Sequence, residues 1–316
     1  MAHVHGDRLE PDLGRKVSAM RFKTILATLV AALTIATVMP VTRPALHAQA
    51  KTAPAPIRLY VFDGGTLESD PARYELTKED VKVTQLSVAA YLIVHPKGLL
   101  MWDTEAVPDS EWMPTGSPVR QRLTLADVQE RFVTIARPLG AQLQAAGHKP
   151  ADITYLALSH YHWDHTANAG MFAGATWLVR QIERDAMFSD KATGTSRPQT
   201  YAALKNSKTV IVTADEHDVF GDGTVILKAA PGHTPGHQVL YVNLPETGPV
   251  VLSGDLYHYQ AERTMGKYPT FEFDKEQTRV SRAAVDTFLT KTKARLWIQH
   301  DLTAHTALKK APDYYK

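Results

Sequence analysis

Apolar positions along the chain cluster into short runs bounded by turn residues, and a helical period is sustained in few places. Ile57-Arg58-Leu59-Tyr60-Val61-Phe62 reads as a first strand, closed by the turn Asp63-Gly64-Gly65. Val83 to His95 and Gly98 to Asp103 read as a hairpin-like pair around Pro96-Lys97-Gly98. Further strands are predicted over Ile153 to Ser159, Thr176 to Val179, Thr209 to Val212, Val225 to Ala229, Val239 to Val242, Val250 to Leu252 and Ala294 to Gln299. Thr124 to Ala146 is predicted as a helix, with Thr124 as N-cap and Gly147 as stop. A second long helix is expected over Asp274 to Thr292, with Val280, Ala284, Phe288 and Leu289 on one face, and a shorter one around Gln181 to Phe188. Ala106 to Arg122, which contains Trp112-Met113-Pro114 and Gly116, is long enough to serve as a lid. Strands in two runs, each joined to helices, imply two sheets face to face with helices outside.

The first fifty residues read differently. Arg21 and Lys23 precede an apolar, Ala- and Thr-rich run from Ile25 to Val41, and Ala48-Gln49-Ala50 fits an A-x-A cleavage site before Lys51. Residues 1–50 are therefore expected to be an N-terminal extension and signal peptide, with Met1 or Met20 as initiator. The product would be exported, periplasmic or secreted, and would meet a membrane only through that segment. The competing reading is an uncleaved anchor, since about 17 apolar residues nearly span a bilayer. Residues 51–316 are left as one α/β domain, without repeats or a long linker.

Composition adds mostly exclusions. Hydrophobic residues make up 44% of the chain and the formal net charge is +2, so a core can be buried and no cationic excess calls for nucleic acid. With no cysteine there is neither a disulfide scaffold nor a thiolate ligand.

The chemistry concentrates in Ser159-His160-Tyr161-His162-Trp163-Asp164-His165. If a strand ends here, alternation sends His160 and His162 to one side, where both can grip one metal, while Asp164 and His165 can turn to a second. Imidazole and carboxylate donors suit zinc and its first-row neighbours; calcium or magnesium would call for mostly oxygen. Two cations held close need about six or seven ligands and a bridging anion. Candidates lie after apolar stretches downstream: His233 in Pro231-Gly232-His233-Thr234-Pro235-Gly236-His237, Asp255 in Ser253-Gly254-Asp255, and His300 after Trp297-Ile298-Gln299.

That order of motifs resembles the metallo-β-lactamase superfamily, from about Ile57 to the C-terminus. The resemblance implies an αββα sandwich of two mixed β-sheets with helices on the outer faces. It also implies that His160, His162 and His233 hold one metal, Asp164, His165 and His300 the other, and that Asp255 bridges them. Two divalent ions, zinc by default with manganese, iron or cobalt as alternatives, lower the pKa of water and polarise a carbonyl. The expected reaction is attack by a hydroxide shared between them, with no protein nucleophile and with Asp164 able to shuttle its proton.

Within the superfamily the chain is most similar to N-acyl homoserine lactone lactonases. The similarity rests on Pro231 to Gln238, the 22-residue step from His233 to Asp255, the ending Ile298-Gln299-His300-Asp301, and Arg58 to Gly65. The substrate expected is therefore a small acylated lactone, opened in quorum quenching. Several such lactonases carry a tyrosine three residues after the bridging Asp; His258 stands there, between Tyr257 and Tyr259, and can act as donor, general acid or support.

Exported organophosphate, ester or β-lactam hydrolysis is the alternative, and a non-catalytic metal- and ligand-binding protein comes after it. Glyoxalase II shares the ligands but adds a helical domain, and only 16 residues follow His300. Trp112, Met113, Phe172, Tyr257 and Tyr259, with Met171, Phe188, Tyr268 and Phe271, are candidates to line an acyl-chain groove. His237 is expected to brace its turn, Asp103 to support a ligand, and Asp301 to cap or support His300. His95, His148, His217 and His305 are expected in surface turns, and Arg120 and Arg122 as solvated charges. A homodimer is left open.

Overall fold

The computed structural model describes residues 56–114, 116, 118–190 and 195–316. The signal-peptide reading of residues 1–50 lies outside the described residues. In chain order the elements are β1 (Arg58–Leu67), β2 (Leu86–His95), β3 (Gly98–Trp102), β4 (Val119–Thr124), β5 (Glu130–Ile135), α1 (Leu139–Ala145), β6 (Tyr155–Ala157), α2 (Trp163–Thr166), β7 (Thr176–Val179), α3 (Gln181–Met187), α4 (Pro198–Tyr201) and β8 (Thr209–Ile211). They continue as β9 (Glu216–Asp218), β10 (Val225–Ala229), β11 (Gln238–Leu244), β12 (Gly248–Leu252), α5 (Gln260–Met265), α6 (Lys275–Thr292), β13 (Arg295–Trp297), α7 (Leu302–Ala307) and β14 (Tyr314–Tyr315).

The strands form two mixed sheets. One has the order β4-β5-β1-β2-β3-β6-β7-β8, with β14 also on β1; the other runs β13-β12-β11-β10-β9. Alternation along each strand explains the layers. Leu59, Val61, Tyr91, Ile93 and Trp102 face Val225, Leu227, Leu240, Val242 and Leu252 across the middle of the molecule. The opposite residues of the first sheet, Tyr60, Phe62, Leu92 and Met101, pack with Leu139 and Leu143 of α1 and Met187 of α3. On the second sheet, Val239, Tyr241 and Val251 pack on Val285, Phe288 and Leu289 of α6. The order helix, sheet, sheet, helix is the αββα sandwich expected.

Two predicted helices need correction. Thr124 to Ala146 is not one helix: β4 and β5 pair as a hairpin from Val119 opposite Ile135 to Thr124 opposite Glu130. The alternation of Val119, Gln121 and Leu123 inward against Arg120 and Arg122 outward wins there, because it buries the inward set and joins Leu123 to one core with Val133 and Ile135. Pro138 then bars any helix running through it, so α1 starts only at Leu139. In α6 the buried stripe is Thr278, Ser281, Arg282, Val285, Phe288 and Leu289, while Val280 and Ala284 are exposed. The stripe is polar at its start because it reaches loops rather than the sheet: Ser281 donates to the Pro231 carbonyl at 2.6 Å and Arg282 to that of Leu256 at 2.9 Å.

The segment from Ala106 to Arg122 is tied down at both ends. Ala106 and Val107 are buried, the Asp109 carboxylate accepts from the Leu139 and Gly140 amides at 3.0 and 2.7 Å, and Arg120 and Arg122 belong to β4. Those two arginines are exposed and ion-paired with Glu68 and Glu130. His95 and His305, expected at the surface, are buried; His95 stacks on Phe220 with ring centroids 4.1 Å apart and contacts Asp222 at 3.0 Å.

Candidate metal centre

Four loops leave the strand ends at one edge of the sandwich, and each brings donors. After β6 stops at Ala157, the Ser159 amide donates to Asp103 Oδ1 at 2.6 Å, which fixes where the histidine run begins. His160 and His162 thus lie beyond the strand, and a buried loop, not strand alternation, brings them together. His162 is the N-cap of α2, whose first turn carries Asp164 and His165. His233 sits in the turn from β10 to β11, Asp255 follows β12, and His300 follows β13.

All seven predicted residues converge, and all are buried. Donor atoms of His160, His162, His233 and Asp255 fall within 4.8 Å of one another, as do those of Asp164, His165 and His300. Asp255 divides its oxygens between the groups. Its Oδ2 is 3.5 Å from His160 Nε2 and 3.3 Å from His233 Nε2, while Oδ1 is 2.9 Å from His165 Nε2 and 3.0 Å from His300 Nε2.

The outer nitrogens decide what the inner ones can do. His300 Nδ1 donates to the Ser87 carbonyl at 2.6 Å, His165 Nδ1 faces Asp103 Oδ2 at 2.9 Å, and His233 Nδ1 faces Glu272 Oε1 at 3.1 Å. Such partners place the proton of a neutral imidazole on Nδ1 and leave a lone pair on Nε2. Two lone pairs then face each other, His165 Nε2 and His300 Nε2 at 3.2 Å, and the His233 Nε2 lone pair lies 3.0 Å from His162 Nδ1. His160 Nε2 and Asp255 Oδ1 are buried without a hydrogen-bond partner. Buried donors converging in this way fit a cation in each group, and nitrogen with carboxylate oxygen suits first-row divalent ions.

Electrostatics agree. Burial holds His160 and His162 well below the ordinary imidazole value. Burial also opposes charge on His233, yet Glu272 and Asp255 lift it to about 10. His165 is raised against burial by Asp255 and Asp103. The cluster is thus a low-dielectric site with a surplus of negative charge.

Residues without any motif hold these loops. Glu183 on α3 is buried and accepts from the Tyr161 amide at 2.8 Å, the Gly236 amide at 2.7 Å and the Thr234 hydroxyl at 2.9 Å, joining the loop of His160 and His162 to that of His233. Burial pushes its carboxyl up to about 7 despite these donors. Its only sequence signal is an acid among the inward positions of a short helix. Gln299 donates to Asp103 Oδ2 at 2.9 Å, and His237 bridges the Ala230 carbonyl and the Asp255 amide at 2.9 and 3.0 Å. Asp301 caps α7, accepting from the Ala304 amide.

The adjoining pocket is bordered by His162, Asp164, Asp255 and His258, with Leu67, Tyr74, Leu86, Trp163 and Phe271 as apolar wall and Glu68, Ser69, Arg73, Arg131 and Thr195 as polar wall. Of the residues proposed for an acyl groove, Phe271 is there. Trp112, Met113, Phe172, Tyr257 and Tyr259 are not. Met113 is exposed, Trp112 packs beside the core under β4 and β5, and Phe172 belongs to the core beneath α1. Tyr257 packs under α6, and the Tyr259 hydroxyl is spent on the Thr84 carbonyl at 2.5 Å. Aromatic content alone could not separate wall from core. His258 Nε2 is 3.1 Å from Asp255 Oδ2, its ring stacks on His300 at 5.4 Å and 1°, and the Tyr74 ring lies tilted against it with centroids 4.6 Å apart.

Comparison with known proteins places this geometry. A curated relative, the N-acyl homoserine lactonase AttM of Azorhizobium caulinodans, is 30% identical over 267 residues, covering 82% of this chain and 98% of the relative. A solved N-acyl homoserine lactone hydrolase, with the product N-hexanoyl-L-homoserine at its catalytic metal center, superposes with a TM-score of 0.67 at 23% identity, over 81% of this chain and 98% of that one. AidC, a dizinc quorum-quenching lactonase, gives a TM-score of 0.56 at 19% identity over 82% and 94%. At those identities the two structures speak for the fold. The family model of the Metallo-beta-lactamase superfamily matches residues 83–292, and the chain belongs to that superfamily.

Proposed function

We propose that this chain is a dinuclear metal-dependent hydrolase that opens the lactone ring of N-acyl homoserine lactones. The observation that carries the reading is Asp255, whose two oxygens serve two separate sets of lone pairs, His160, His162 and His233 on one side and His165 and His300 with Asp164 on the other. The substrate class comes from the lactonase relative matched over 98% of its own length. Two divalent ions, when bound, supply Lewis acidity that activates water and polarises the ester carbonyl. Zinc is the ion we propose; manganese, iron and cobalt suit the same donors.

The chain's own residues do the rest. Water adds its hydroxyl to the carbonyl carbon, the ring C–O bond breaks, and the departing oxygen takes a proton to become an alcohol while the new acid ionises. Asp164, with Oδ2 3.7 Å from His300 Nε2 and its carboxylate bordering the pocket, takes the proton from water and returns it to the leaving oxygen. His258 positions Asp255: its Nε2 is committed to Oδ2, its backbone amide to Glu262, and it acts through the carboxylate. Leu67, Tyr74 and Phe271 offer apolar surface to the acyl arm. We also propose export, on the basic start, apolar run and Ala48-Gln49-Ala50 of the first fifty residues. A mature N-terminus at Lys51 in protein recovered from its host would support it.

The deciding experiment assays the metal-loaded chain against acyl homoserine lactones, a phosphotriester, a thioester and a β-lactam. The lactones should give the highest kcat/KM, abolished by chelation. A phosphotriester turned over faster would reverse the substrate assignment.

A further inference from the structure

Two guanidinium groups border the metal pocket without a carboxylate of their own. Arg73 and Arg131 line it beside Asp164 and His258, and among the described residues neither lies within ion-pair distance of an acid. Of the acids that line it, Glu68 is already held by Arg120 at 2.7 and 3.2 Å, and Asp164 and Asp255 belong to the donor groups. The buried arginines Arg197 and Arg282 are by contrast paired, with Glu111 and Glu262.

Each member of the pair is fixed in a way that leaves donors free. The Arg73 guanidinium lies 4.6 Å from the centroid of Phe271, a ring that itself contacts His233 and His258 at 5.8 and 5.9 Å. A cation–π contact positions the group without consuming its N–H bonds. Arg131 spends its Nη groups only on neutral acceptors of its own turn, the Glu130 carbonyl at 3.0 Å and Gln129 Oε1 at 2.5 Å. Burial first, and then the charge of Arg73, depress the Arg131 guanidinium below its ordinary value. Like charges brought together in a half-buried rim repel unless an anion lies between them. Asp127 and Asp164 offset that repulsion in part, but the Asp127 carboxylate is engaged by the Gln129 amide of its own turn at 3.1 Å and Asp164 belongs to the second donor group of the metal centre.

We infer that Arg73 and Arg131 form a carboxylate subsite beside the metal centre. The inference rests on the lactone-hydrolase reading, because ring opening creates a carboxylate in this pocket from a neutral ester. Guanidinium forks match carboxylate geometry. The carboxylate has two sources to distinguish: the one released by ring opening, and one carried on the acyl arm of the substrate.

The test titrates the metal-loaded full chain, by calorimetry, with N-hexanoyl-homoserine and with its neutral primary amide. The wild-type chain should prefer the acid. In the Arg73→Met/Arg131→Met variant that preference should fall by about tenfold, the scale of one lost charge-assisted bond. The Arg73→Lys/Arg131→Lys variant should keep most of it, and serves if the methionine variant does not fold. An unchanged preference in the variant lacking both charges overturns the subsite.

A second arm compares kcat/KM for N-hexanoyl homoserine lactone and for a lactone of equal length ending in a carboxylate. A loss confined to the acid-ended lactone assigns the subsite to the substrate arm; a loss seen only in the calorimetry assigns it to the product. If the wild type opens neither lactone yet shows an arginine-dependent preference for the acid, the hydrolase reading fails and the subsite stands.

Discussion

Glu183→Ala tests whether the two histidine loops are held by one buried acid. The carboxylate is the shared acceptor for the Tyr161 amide, the Gly236 amide and the Thr234 hydroxyl, at 2.7 to 2.9 Å. Removing it leaves three buried donors without a partner, at about 1–3 kcal/mol each. Some relaxation is available at the Thr234 hydroxyl, which can rotate, so the expected loss is about 3–5 kcal/mol. For a domain of this size that is a fall in Tm of roughly 10 °C.

The pH dependence carries a sign. The Glu183 carboxyl is raised from 4.5 to about 7, so the folded state binds its proton more tightly than the unfolded state does. Its contribution is most favourable below about pH 4.5 and declines as pH rises to 7, by about 3 kcal/mol. The stability gap between wild type and Glu183→Ala should therefore narrow from pH 5 to pH 8, measured by denaturant unfolding of both proteins saturated with metal. At pH 5, where the gap should be widest, a variant within about 1 kcal/mol of wild type with full metal content would refute the clamp. A gap that widens with pH would show that the three donors outweigh burial.

Other changes reach the site by separate routes. Asp255→Asn removes a charge shared by both donor groups, and metal analysis should find fewer than two ions per chain; two retained ions would end the bridging role. His258→Phe keeps the stack on His300 but loses the bond to Asp255, so kcat should fall by about tenfold or more with KM little changed; an unaltered kcat would make the imidazole purely packing. Gly232→Ala would set a Cβ 2.2 Å from the Thr278 amide nitrogen at φ +134, where α6 abuts the His233 turn. It should cost more than about 3 kcal/mol and loosen metal binding, read by unfolding and competition with a chelator.

The ligands were legible in the sequence because metal chemistry restricts residue type and four motifs keep their donors local. The supports were not. Glu183, Glu272 and Gln299 come from α3, from the loop before α6 and from the loop after β13, and each meets its partner across a long span of chain. Acids and amides are too common for such meetings to leave a signal. Asp103 was an exception, since it closes a strand at the edge where the metals were expected. The sheets were read from runs of β-branched and aromatic residues. The β4–β5 hairpin was missed because Arg120, Arg122, Glu130 and Arg131 also favour helices. Substrate residues failed for a different reason. Apart from Trp163 inside the histidine run, the pocket wall comes largely from Leu67 to Tyr74, Arg131 and Phe271, segments without a motif, whereas the other aromatic residues nearest the motifs are mostly core.

The charge around the centre leads to a prediction about metal and pH together. Asp103, Asp164, Asp255 and Glu272 all touch ligand imidazoles or supply donors themselves, and two divalent ions carry as much positive charge as these four carboxylates carry negative. Without ions the nearest substitute is the proton. Burial works against it, yet Asp255 and Asp103 raise His165 well above 6.5, and Glu272 and Asp255 raise His233 to about 10. A raised imidazole contributes stability that is fully present below about pH 6.5 and is lost as pH rises through the folded value. Chelated protein should therefore lose stability between pH 6.5 and 10, while metal-loaded protein, whose donors must be unprotonated, should hold steady or gain. The Tm difference between loaded and chelated samples should widen with pH across that range. A difference that stays flat or narrows would mean that protons do not stand in for the ions, and that the four carboxylates are balanced by something other than this cluster.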